Sequence, residues 1–220
     1  ISPLLKSQDI NSYNVDASLN IDEKTIEVSQ IMKFKNTSTN ILNEIFLEDW
    51  SNSYINNETK LAKRISDEYS RSFSFAKKRQ RGFTVINELK SNSKVSWSRY
   101  QGQSDLIRVK LEEPIKVNES ILIELKYTIK LPDSKFTGFG YDDKNFYLKN
   151  WIIVFSNIYQ DEWLNQSNLN LDDQSLTEST YNLNFSYKGD YNLNSNLNKG
   201  DISETNQIKT VELFGSGINN

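Results

Sequence analysis

The sequence predicts an all-β protein: a β-sandwich of mostly antiparallel strands, interrupted by one inserted amphipathic helix. Three observations carry this expectation. Apolar and polar residues alternate with period two in segment after segment, the mark of strands with one buried and one wet face. Clusters of Asn, Asp, Gly and Pro separate those segments, as turns require. Residues 136–163 then gather six aromatic rings, Phe146, Tyr147, Trp151, Phe155, Tyr159 and Trp163. Each such ring can bury roughly 150–250 Å², so this stretch is expected in the core with its neighbours packed on it.

The first alternating segment runs from Asn11 to Ile21, with Tyr13, Val15, Ala17, Leu19 and Ile21 on one side. Asp22-Glu23-Lys24 turns the chain into a second, Thr25 to Lys35, making a hairpin; a third runs from Ile41 to Leu47. Between Asn57 and Ala76 the period changes. Leu61, Ile65, Tyr69 and Phe73 recur every four residues with Lys, Arg, Asp and Glu on the other faces, which predicts a helix capped by Asn56 or Asn57. The basic run Lys77-Lys78-Arg79-Gln80-Arg81 reads as its solvated, dipole-compensating end. Strands resume at 83–89, 94–99, 106–111 and 120–131, where Pro132 stops the last. Residues 165–174 have no period and read as a loop; further strands are expected at 181–187, 191–197 and 207–214.

Composition narrows the chemistry. The 220 residues carry a net charge of -3, which offers no electrostatic footprint for nucleic acid. No segment approaches the roughly 20 apolar residues of a membrane helix. The chain has no Cys and no His, so it lacks the usual ligands of catalytic zinc and the usual general base at neutral pH. It begins at Ile1 rather than Met, which reads as a processed protein or an excised piece. Paired acids occur at Asp142-Asp143 and Asp172-Asp173; neither pair sits in the ligand spacing of a calcium loop, and both read as turn or loop residues. Trp151, Phe155, Tyr159 and Trp163 recur every four residues, but the β-branched Ile152, Ile153 and Val154 between them favour a buried strand over an exposed sugar-stacking platform.

Several of these residues, in order, resemble the N-terminal domain of gluzincin zinc aminopeptidases, the aminopeptidase N family, in its bacterial branch. They include Tyr13-Asn14-Val15 with Leu19-Asn20-Ile21, Ile31 to Ser38, and Ile45-Phe46-Leu47-Glu48-Asp49-Trp50 with Ser53-Tyr54. They continue with Arg81-Gly82-Phe83-Thr84, then Phe136-Thr137-Gly138-Phe139-Gly140 to Trp151 with Asp161-Glu162-Trp163, and the paired segments around Leu183 and Leu193. The resemblance spans about Ser12 to Phe214, and order and spacing carry its specificity.

The resemblance implies a saddle-shaped β-sandwich over residues 1–214, with residues 215–220 starting a linker to a catalytic domain. It implies that the chain is not itself an enzyme. Zinc is expected in that catalytic domain, on an H-E-x-x-H helix, and the partners are that domain and the peptide substrate of the parent protein. Where relatives carry a Gln-Trp pair at the cleft, this sequence has Asn150-Trp151-Ile152-Ile153, which makes Asn150 and Trp151 the substrate-cleft candidates; Asn is shorter by a methylene and the family's following Pro is replaced. An extracytoplasmic or membrane-associated parent fits the branch. Two other readings stand beside this one: a stand-alone sandwich binding glycans or a protein partner through exposed Trp or Tyr, and a two-carboxylate hydrolase with converging acids.

Overall fold

The computed structural model describes residues 11–68, 71–169 and 174–218. Two sheets enclose one core. The larger has seven strands in the order β14-β15-β13-β1-β2-β7-β4, and the smaller has four, β10-β3-β6-β5. In the larger sheet these are β1 (Asn11–Asn20), β2 (Thr25–Lys35), β4 (Phe83–Ser91), β7 (Ser120–Lys130), β13 (Ser179–Lys188), β14 (Asn198–Thr205) and β15 (Ile208–Ile218). The smaller uses β3 (Leu42–Glu48), β5 (Val95–Tyr100), β6 (Gln103–Ile115) and the two-residue β10 (Val154–Phe155). Two short ribbons complete the set: β8 (Gly140–Tyr141) with β9 (Phe146–Tyr147), and β11 (Ile158–Tyr159) with β12 (Glu162–Trp163). Among the described strands every pairing is antiparallel except β1 with β13. The all-β, sandwich-like expectation holds.

Alternation explains the large sheet directly. Tyr13, Val15 and Ala17 of β1 meet Met32 and Val28 of β2, while Ile121, Ile123, Leu125, Tyr127 and Ile129 of β7 line the same buried face. The opposite face is wet and laced by exposed side-chain pairs, such as Asn182 donating to Asn14 and Asn184 to Asp16. The small sheet contributes Ile45, Leu47, Ile107 and Val109 to the same core.

The helix is shorter than expected. It spans only α1 (Lys60–Asp67), and its cap is Thr59, whose hydroxyl accepts from the Ala62 amide at 3.1 Å. Asn56 and Asn57 do other work. Asn56 closes a turn onto Glu58, and Asn57 donates to the Ser74 carbonyl while accepting from Arg81. Leu61, Ala62 and Ile65 bury the inner face; Tyr69 lies outside the described residues. Phe73 continues the four-residue spacing but sits in a separate turn, packed edge-on against Phe136 at 5.0 Å. Tertiary packing thus ends the helix where periodicity alone would extend it. The basic run is therefore not a helix end: Arg81 stacks on the Phe73 ring at 4.4 Å.

Three further segments differ from expectation. Residues 191–197 form no strand; β14 starts at Asn198 instead. That strand lies at the sheet edge with both faces largely exposed, so it carries no alternation to read. Strand β6 continues past Leu111 to Ile115, with Pro114 inside a register shift where the ladder is interrupted. Strand β15 runs on to Ile218, past the strand end expected at Phe214.

The aromatic stretch divides. Phe136, Phe139, Trp151 and Phe155 are buried, Phe146 and Trp163 are half-buried, and Tyr147 and Tyr159 are 43% and 62% exposed. It forms only two-residue strands, because left-handed backbone at Asn150, Gln160 and Asp161 breaks it repeatedly.

Candidate functional site

The irregular backbone of residues 148–155 has few strand partners, so its buried amide groups need others. The inner face of the large sheet supplies them. Gln30 donates to the Ile153 carbonyl at 2.7 Å, the Tyr127 hydroxyl accepts from the Ile153 amide at 3.3 Å, and the Tyr13 hydroxyl accepts from the Phe155 amide at 3.1 Å. Tyr127 in turn donates to Gln30 at 2.7 Å. Burial pushes the Tyr13 and Tyr127 hydroxyls far above their ordinary pKa, so both stay neutral hydrogen-bonding groups. This tether holds the segment a fixed height above the sheet.

The two cleft candidates lie on this segment. Asn150 occupies the left-handed region (φ 48°), which Asn tolerates better than most residues. Trp151 is buried, its ring edge-on to Phe185 at 5.9 Å, and its carbonyl accepts from Ser51. Both line a cavity of about 610 Å³. Its floor is apolar, with Trp151, Leu183, Phe185 and Leu213; its rim is amide-rich, with Asn150, Gln174, Asn194 and Asn196. Among the described residues Lys149 is the only charged one on its lining, and none of them is a carboxylate. Burial pushes the Tyr181 hydroxyl there up to about 12, so it stays a neutral hydrogen-bonding group.

Other expectations resolve differently. Asp142 closes its own turn, accepting from the Lys144 and Asn145 amides at 2.8 and 2.7 Å, and those bonds hold its carboxyl down at about 2. Asp172 and Asp173 lie outside the described residues. Trp163 is not a free platform, because its ring packs on Phe34 and Phe46, each at 5.7 Å. A second depression of about 650 Å³, on the wet face of the large sheet, is lined by Asp16, Glu27, Lys126 and Asn184 among others; its one aromatic residue, Tyr127, turns its ring to the buried side. Among the described residues no group of three or more His, Cys, Asp or Glu side chains could hold a metal ion. These residues do not fit zinc.

One constellation escaped the sequence reading. Glu48, Asp49 and Asp105, all buried, meet near the end of β3 and the 3-10 turn Trp50–Tyr54. Asp49 pairs with Arg99 at 2.7 Å and accepts from Thr84 at 2.7 Å. Asp105 accepts from the Ser167 hydroxyl at 3.0 Å and the Asn168 amide at 2.8 Å, and Glu48 from Gln174 at 2.8 Å and the Gln166 amide at 3.3 Å. The expected loop at 165–174 is therefore pinned, in its described parts, by buried carboxylates. The signal available in sequence was the acid pair Glu48-Asp49 closing the apolar run Ile45-Phe46-Leu47.

No known protein-family profile matches the chain, and no curated protein is similar to it in sequence. Solved structures do match in shape. An M1 zinc metallopeptidase from Deinococcus radiodurans superposes with a TM-score of 0.52 at 10% identity, over 94% of this chain and 38% of that one. A two-domain M1 zinc metallopeptidase variant bound to L-tryptophan gives 0.52 at 12%, over 94% and 39%; one bound to L-arginine gives 0.52 at 12%, over 94% and 38%. At this identity the likeness shows the fold alone: the chain has the architecture of a part of these metallopeptidases and spans well under half their length.

Proposed function

We propose that the chain is the non-catalytic N-terminal β domain of a zinc aminopeptidase-like metallopeptidase, packing on the catalytic domain and shaping its substrate cleft. The observation that carries this reading is the superposition of nearly all of this chain on 38% of a zinc metallopeptidase. Zinc belongs to the catalytic domain, where it would polarise the scissile carbonyl and activate water; this chain's residues take no part in holding it. Their contribution is a wall: the tethered segment at 148–155 presents the Asn150 side chain and the apolar cavity floor toward the cleft. A water-poor wall strengthens polar contacts made there.

The test uses the full-length protein. It should hold stoichiometric zinc by metal analysis and hydrolyse aminoacyl anilides, while the 220-residue chain does neither. Asn150→Gly keeps the left-handed turn but removes the amide, and should raise KM several-fold with kcat little changed. A full-length protein without a downstream H-E-x-x-H motif, or one inert toward such substrates, overturns the peptidase assignment.

A further inference from the structure

The three buried acids outnumber their cations. Arg99 is committed to Asp49 at 2.7 Å. Arg108, also on the small sheet, is committed to Glu44, with its Nε donating at 2.7 Å. Among the described residues no ion pair involves Glu48 or Asp105. The described residues of the segment that covers them bond to them through neutral groups: Gln166, Ser167, Asn168 and Gln174. Behind Glu48, from the β10 side, comes the buried hydroxyl of Ser156, which faces the carboxyl. Ser156, Gln174 and the Gln166 amide each favour the ionised carboxylate, but Glu48 is fully buried with no cation paired to it among the described residues, and burial outweighs those three neutral contacts.

We propose that Glu48 is a proton-operated clamp: protonated, it holds Gln166 and Gln174 against the small sheet; ionised, it loosens them and, through Gln174, one wall of the apolar cavity. The coupling is direct, because Gln174 both donates to Glu48 at 2.8 Å and lines the cavity. Burial, the largest influence, raises the Glu48 carboxyl to about 7, and the neighbouring Asp105 charge adds to the rise. Asp105 is raised in the same way by burial, with a contribution from Asp49. The clamp is therefore firm on the acid side of neutrality and loose on the alkaline side.

Amide hydrogen exchange followed by NMR on the chain at pH 6 and pH 8 tests this. Protection at the Gln166 amide, corrected for intrinsic base catalysis, should fall about tenfold or more between the two pH values. Protection at the Ile153 and Phe155 amides, held by neutral tyrosines, should change much less. In Glu48→Gln the fall at Gln166 should vanish, while the Asn168 amide, which Asp105 accepts, reports that second carboxylate. An equal fall in wild type and variant, or an equal fall at Ile153 and Phe155, overturns the clamp. If Glu48→Gln does not fold, the side-chain carboxyl ¹³C shift of Glu48 in the wild-type chain decides: a midpoint between pH 6 and 8 supports the proposal, and one outside that range overturns it.

Discussion

Two irregular segments are fastened in this molecule by opposite chemistry. Residues 148–155 are tethered by the phenols of Tyr13 and Tyr127 and the amide of Gln30, groups that are neutral at every physiological pH. Residues 165–169 are fastened by carboxylates, Glu48 and Asp105, that burial makes reluctant to ionise. Both arrangements satisfy backbone amides that the strand ladders leave unpaired. The first fixes the cavity floor independently of pH, whereas the second ties one cavity wall to a proton. Neutral donors make a rigid mount, and unpaired acids make an adjustable one.

The largest expected effect removes the mount's anchor. Trp151→Ala empties the ring's place against Phe185 and should cost about 3–5 kcal/mol, read as a lower urea midpoint with unchanged slope; a loss under 1 kcal/mol would mean that the ring is not part of the core.

Next comes the pH dependence of global stability. The folded-state pKa of Glu48, about 7, lies above its ordinary 4.5. Its contribution to stability is thus fully present below about pH 4.5 and is lost as pH rises through 7. At about 1.4 kcal/mol per pH unit across that window, unfolding free energy should drop by about 2 kcal/mol between pH 5.5 and 8.5. Denaturant titrations at both values check this, and the drop should be absent in Glu48→Gln.

A smaller effect probes the neutral tether. Tyr127→Phe leaves Gln30 and the Ile153 amide each short of a partner and should cost about 1–3 kcal/mol. That loss should be the same at pH 5.5 and 8.5. A pH-dependent loss would merge the two segments into one network and end the contrast between them.

Legibility in the sequence followed how each residue's environment is written. β1, β2 and β7 have one buried and one wet face, so their alternation marked them to within a residue. β14, an edge strand wet on both faces, carries no such pattern. The helix was overextended because Phe73 keeps a four-residue spacing from Ile65 and Tyr69 while being buried by contact with Phe136, a partner 63 positions later in the chain. Asn150 and Trp151, singled out in the sequence by resemblance, line one cavity. The acid cluster was not, because what makes Glu48 unusual is the removal of water by residues more than a hundred positions downstream.

Sequence alone determined the all-β class, the hairpin of β1 with β2, the absence of zinc-binding His or Cys, and the aromatic wealth of residues 136–163. Periodicity and composition are local properties, and local properties survive without coordinates. Tertiary structure alone decided which rings of that stretch are buried, which hydroxyls hold its backbone, and which carboxylates lie beyond the reach of water. Those outcomes depend on contacts between distant parts of the chain, and burial and pKa belong to the contacts rather than to the residues.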